Sequence, residues 1–222
     1  MARPYEAVIF DLDGVLVDAE IWWDEVRIDF AERHGRTWTE ADRAAIMGAN
    51  SLGWSTTMRE RLDLGELPRE TIEVEVVDAM VERYRAEGAP IIPDAVETVR
   101  RIAASVAVGV ASSGHPAVIA AALESLGIVE VFAAVVSSDE VPLGKPAPDV
   151  YLLAADRIGA APGSCLVVED SLNGVLAGRA AGMTVVLIPN VAIPPAPGAR
   201  EAASFVLDRI GRLDLEALPG TR

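Results

Sequence analysis

Short apolar runs alternate along this chain with longer stretches in which apolar residues return at helical spacing. The runs predict strands at Ala7–Phe10, Val106–Ala111, Val131–Val136, Leu166–Val168 and Thr184–Ile188, with a weaker one at Phe205–Leu207. Helical spacing predicts helices at Ala95–Ala104, Ala117–Leu126, Pro148–Ile158 and Leu172–Ala181, with Gly127, Gly159 and Gly182 as C-terminal punctuation. Strands and helices in alternation are the signature of β-α units wound around a parallel sheet.

One stretch breaks the alternation. From about Asp18 to Gly88 there is no strand signal, only helical patterns such as Glu20–His34 and Glu70–Glu87. A βα connection usually takes about 2–6 residues, so a gap of this size calls for a domain of its own. The expected fold class is therefore α/β, a Rossmann-like parallel sheet core (1–17 and 90–222) with an inserted all-helical cap domain (18–89). The Pro-rich stretch Pro189–Gly198 is read as a surface loop.

Charge narrows the partners. The formal net charge is −15, from 19 basic and 34 acidic residues. That balance argues against nucleic acid or an anionic membrane as a partner, and it leaves any anionic substrate to be recruited by a local cation. No apolar run reaches membrane-spanning length, no secretory leader pattern opens the chain, and the single Cys165 excludes an internal disulfide framework. A cytoplasmic protein is expected; oligomeric state is not legible.

Candidate chemistry lies where strands end. The first strand runs into Asp11-Leu12-Asp13-Gly14, the second delivers Ser112 and Ser113, the fourth delivers Glu169 and Asp170, and Lys145 precedes a helix within Gly144-Lys145-Pro146. Ligands of parallel sheets bind at the carboxyl ends of the strands, so these groups converge on one rim. Two carboxylates about 5 Å apart repel by roughly 3 kcal/mol at an effective dielectric near 20, so such a cluster calls for a cation or shared protons. Oxygen-only ligation suits Mg²⁺, Lys145 and Ser112 suit a phosphate, and backbone N–H groups after Asp11 and Ser112 can complete the cradle. The chain contains 18 Arg and a single Lys, and that Lys is Lys145. A site that keeps Lys in an arginine-rich chain asks for a point charge in place of a planar fork.

Taken together, Asp-x-Asp-Gly, Ser, Gly-Lys-Pro and Glu-Asp, in this order at strand ends, resemble the haloacid dehalogenase superfamily of phosphatases, over essentially the whole chain. The resemblance implies a Mg²⁺-dependent phosphatase acting on a small phosphorylated metabolite, with Asp11 as nucleophile and Asp13 as general acid and then base. It implies metal held by Asp11, the Asp13 backbone carbonyl, Asp170 and Glu169, the last directly or through water. Ser112 and Lys145 would hold the phosphoryl group, with Leu12, Ser113, Glu20 and Trp23 as further substrate contacts.

Several of these residues admit plainer roles. Ser112 could cap a helix, Glu20 could serve the helix electrostatically, and Trp22, Trp23, Trp38 and Trp54 could build the core of a small helical domain. His115 and His34 read as surface residues and Cys165 as a small core residue.

Three alternatives to a phosphatase remain. One is a dehalogenase, which the full acidic set disfavours. Another is a non-catalytic binding protein on the same scaffold. The third is a phosphosugar mutase of the β-phosphoglucomutase type, in which an early cap His gates the general acid and cap Arg and Lys grip a second phosphate. Here Trp23 takes the place of that His, no Lys occurs in 1–144, and Met47-Gly48-Ala49-Asn50-Ser51 aligns Ser51 with the mutase Arg. The cap is thus expected to lack a cation for a second anion, and water is expected to be the acceptor.

Overall fold

The computed structural model describes residues 5–46, 49–190 and 193–218. Six parallel strands form one sheet: β1 (Ala7–Phe10), β2 (Ala107–Ser112), β3 (Ala134–Ser137), β4 (Cys165–Glu169), β5 (Thr184–Leu187) and β6 (Phe205–Val206), in the order β3-β2-β1-β4-β5-β6. β1 lies between β2 and β4, with Phe10 level with Val110 on one side and Val168 on the other. All four residues of β1 are buried, and they divide between the two faces: Val8 and Phe10 join one apolar cluster, Ala7 and Ile9 the other. This is the period-two alternation of a strand covered on both sides.

Between β1 and α5 (Ala95–Ala103), the helix that leads into β2, come four helices and no strand among the described residues: α1 (Glu20–Arg33), α2 (Glu40–Ile46), α3 (Ser51–Arg61) and α4 (Arg69–Glu87). Their apolar faces do not form a separate core. Trp23, Phe30, Met58, Ile72, Val76 and Met80 belong to the same buried cluster as Val8 and Phe10. The bridge is α4, packed against α6 (Pro116–Leu126). The remaining helices are α7 (Asp149–Ile158), α8 (Leu172–Ala180) and the short α9 (Ala199–Ala202). α7 and α8 cover the opposite face of the sheet, where Ala7 and Ile9 point.

Most strand positions agree with the hydrophobic pattern, and the departures have local causes. The strand expected from Val131 starts at Ala134, because Val129–Val131 form a 3-10 turn and the backbone meets β2 only at Ala133, whose N–H donates to Val108 O at 2.8 Å. α3 gave no clear apolar stripe because its buried positions are Ser51, Trp54, Ser55 and Met58. Serine occupies two inward places, and the Ser55 hydroxyl satisfies itself on the Ser51 carbonyl. His115, not Ser112, caps α6, its Nδ1 accepting from Ala117 N–H at 3.2 Å. Among the described residues no helix is long and apolar enough to cross a membrane. The stretch aligned with the mutase Arg falls partly outside the described residues, at Met47 and Gly48.

Candidate active site

The central strand carries its pairing one residue further: Asp11 N–H donates to Val168 O at 2.9 Å, so the Asp11 carboxylate stands at a fixed height over the sheet edge. The chain then turns through Gly14, whose φ of +81° favours glycine and whose absent Cβ would sit 1.9 Å from Asp170 Oδ2. The turn therefore makes room for Asp170, delivered from the end of β4. Leu12 contributes differently from expectation. Its side chain is buried in the core and lies outside the cavity, and only its backbone N–H serves the site, by hydrogen-bonding the Asp11 carboxylate.

Lys145 is buried, and all three of its donors are used. Nζ donates to Asp11 Oδ1 at 2.6 Å, to Glu169 Oε1 at 2.6 Å and to Ala111 O at 3.1 Å, while the ammonium lies 4.9 Å from the centre of the Tyr151 ring. Burial works against the charge, but the Asp11 and Glu169 carboxylates raise the Lys145 pKa above its ordinary value. Glu169 is fully buried and saturated. Its Oε1 accepts from Lys145 and, at 2.6 Å, from the Tyr151 hydroxyl; its Oε2 accepts from Asp170 N–H, Ser171 N–H and the Ser171 hydroxyl. It rests on the first turn of α8, where a Cβ on Gly174 would lie 1.7 Å from Oε1. Burial alone would raise the Glu169 pKa, yet Lys145, Tyr151 and the Ser171 amide bring it below the ordinary value.

One ammonium cannot neutralise the whole cluster. Carboxylate oxygens of Asp11, Glu169 and Asp170 lie within 4.8 Å of one another. Lys145 stands equally close to Asp11 and Glu169, and burial, only partly opposed by that ammonium, leaves Asp11 raised to about 7. Asp170 is raised well above the carboxylate range by burial, then by Glu169 and Asp11. Three carboxylates against one ammonium leave two negative charges over, and every nearby donor atom is oxygen. That is the charge and chemistry of a hard divalent cation site.

Above this floor opens a cavity of about 530 Å³. Asp11, Asp13, Ser112, Ser113, Lys145 and Asp170 line its sheet side, while Glu169 lies behind them. Ser112 ends β2, its Oγ accepting from Gly114 N–H at 3.0 Å. Asp13 has one buried oxygen, Oδ1, without a hydrogen-bond partner among the described residues. Burial, then Glu20 and Asp11, push its pKa up to about 8 against the pull of the Trp23 indole and the Arg27 guanidinium.

The helical side brings Glu20 and Trp23 to the cavity, while Trp22 packs edge-on to Tyr84 at 5.3 Å. It also corrects the expectation of a wall without cations. Arg27 and Arg43 both line the cavity. Neither stood out among 18 arginines, although Arg27 follows Glu20 and Trp23 at helical spacing, and that periodicity was the available signal.

Comparison with known proteins agrees with this geometry. The haloacid dehalogenase-like hydrolase family matches residues 5–182. Hexitol phosphatase B of Escherichia coli O157:H7 is 30% identical, over 94% of this chain and 91% of its own. The bifunctional riboflavin kinase/FMN phosphatase of Arabidopsis thaliana is 32% identical over 83% of this chain, which spans only 48% of that longer protein. A β-phosphoglucomutase structure from Clostridium difficile superposes with a TM-score of 0.78, covering 96% of this chain and 94% of that one at 21% identity. The four strand-end motifs, the six-stranded parallel sheet and the family match agree: the chain belongs to the haloacid dehalogenase-like hydrolases.

Proposed function

We propose that the protein is a Mg²⁺-dependent phosphatase that hydrolyses a small phosphate monoester, a sugar phosphate or related metabolite, with α1–α4 acting as a cap over the sheet edge. The observation that carries this is the Asp11 carboxylate on the central strand, oriented by Lys145 at 2.6 Å and facing the same cavity as Ser112 and Ser113. The likeness to hexitol phosphatase B supports the substrate class.

In this mechanism the Asp11 carboxylate attacks phosphorus while the bond to the leaving oxygen breaks, giving an aspartyl-phosphate. Asp13, whose raised pKa favours the protonated form at neutral pH, donates that proton to the leaving oxygen. It then accepts one from the water that attacks the aspartyl-phosphate. Ser112 and the backbone N–H groups beside it hold the phosphoryl oxygens, and Lys145 supplies positive charge, its longer bond to Ala111 O being the one free to exchange. Glu169, with both oxygens engaged, orients Lys145. Asp11, Asp170 and the Asp13 carbonyl would hold Mg²⁺, which when bound would supply the positive charge to offset the two surplus negative charges and stabilise charge on the phosphoryl group. A mutase fits less well, because an indole beside Asp13 is a donor only and cannot relay a proton as a His would.

Phosphate release from a panel of sugar and polyol phosphates tests the proposal. EDTA is expected to remove activity and Mg²⁺ to restore it, and Asp11→Asn to lower the rate at least about 100-fold. Release that persists undiminished in Asp11→Asn would rule out covalent catalysis at this residue.

A further inference from the structure

α1 presents Glu20, Trp23 and Arg27 to the cavity along one face. The Arg27 guanidinium lies 4.8 Å from the centre of the Trp23 ring and 5.9 Å from that of Trp54. Its faces are thus served by indoles, but its edge is not served: Nε is buried without a hydrogen-bond partner, and no salt bridge within 4.0 Å involves Arg27 among the described residues. Arg43, the other cavity arginine, pairs with Asp24 and, at 4.0 Å, with Glu40. Asp24 is hydrogen-bonded to Arg43, and Glu20, Asp24 and Asp13 act on Arg27 only from beyond ion-pair distance.

A guanidinium offers its donors in a planar fork that matches an oxyanion. A fork left open at a cavity wall, in a chain of charge −15, is a place prepared for an anion brought from outside. We infer that Arg27 binds a second oxyanion of the substrate, a carboxylate or a second phosphate, carried by the part of the molecule that leaves when the phosphoryl group is cut off. The inference rests on the phosphatase function proposed above and narrows it: the substrate has an anionic group at both ends. A cavity of about 530 Å³ holds such a metabolite, with the Trp23 and Trp54 rings walling its carbon skeleton.

Binding to the Asp11→Asn protein, followed by tryptophan fluorescence, tests this without turnover. The probes are 2-phosphoglycolate for a carboxylate, fructose 1,6-bisphosphate for a second phosphate, and glycerol 1-phosphate for a neutral remainder. One of the doubly anionic probes is expected to bind about tenfold more tightly than glycerol 1-phosphate, and which one does so identifies the oxyanion. Adding Arg27→Met, whose side chain still fills the space over the indoles, should bring that ratio close to one. Arg27→Gln gives the same readout should the Met variant fold poorly. Equal affinities in the parent protein, or a ratio that survives loss of the guanidinium, overturns the inference. Absence of phosphatase activity in the unmodified protein would count against the proposed reaction, while the binding ratio still decides the role of Arg27.

Discussion

Two cations reach the cavity from different parts of the chain, and their surroundings differ. Lys145, on the sheet side, spends all three donors on Asp11, Glu169 and Ala111. Arg27, on the helical side, has a buried Nε with no partner. The lysine is fixed by groups the protein supplies, so the geometry at Asp11 exists before substrate arrives, which is what fast chemistry requires. The arginine lacks a partner of its own, which is what recognition requires. Preorganisation is concentrated at one end of the cavity and unmet bonding capacity at the other.

The largest expected effect comes from disturbing the preorganised end. Lys145→Arg conserves charge but replaces a compact ammonium with a broad planar group between two carboxylates. Activity should fall about 100-fold or more in steady-state assays, a loss of about 2.7 kcal/mol in the transition state. Full activity would mean that charge alone suffices there. Tyr151→Phe probes the layer behind it by removing one of the five hydrogen bonds to Glu169. Bonds to charged groups contribute about 1.5–3 kcal/mol, so chemical denaturation should show a loss of that order, and an unchanged midpoint would show Glu169 to be held without the tyrosine.

The smallest effect concerns the surplus negative charge. The folded protein holds protons at Asp11 and Asp13 up to about pH 7 and 8, whereas the unfolded chain releases them near the ordinary value of 3.8. Their stabilising contribution is therefore complete below about pH 4 and drains away as pH rises through 7 and 8. A cation competes with those protons, so the rise in Tm on adding Mg²⁺ should be larger at pH 8 than at pH 6 by about 2–4 °C, corresponding to about 1 kcal/mol for a chain of this size. Equal shifts at both pH values would show that the cation does not share these carboxylates.

Sequence made the preorganised end far more legible than the other. Asp11, Ser112, Glu169 and Lys145 follow or sit near apolar runs that locate strand ends, and strand ends in a parallel sheet share an edge. The helical wall has no such anchor. α2 is short, α3 turns serines inward, and Arg27 gains its meaning only when α1 and α3 bring Trp23 and Trp54 to it. The same long-range packing joins apolar residues of the helices and of the sheet in one buried cluster. Leu12 shows the converse: its place in the motif suggested a substrate contact, while its side chain went to the core.

The solitary lysine also changes how the protein meets covalent chemistry. Every other basic side chain is a guanidinium or an imidazole, so acylating reagents find a single side-chain amine, and that amine is buried and protonated between two acids. Lysine acetylation and other lysine-directed labelling therefore find no exposed side-chain amine. Any label found on this side chain marks a moment when the cavity floor stood open, making the rate of its modification a clock for that opening.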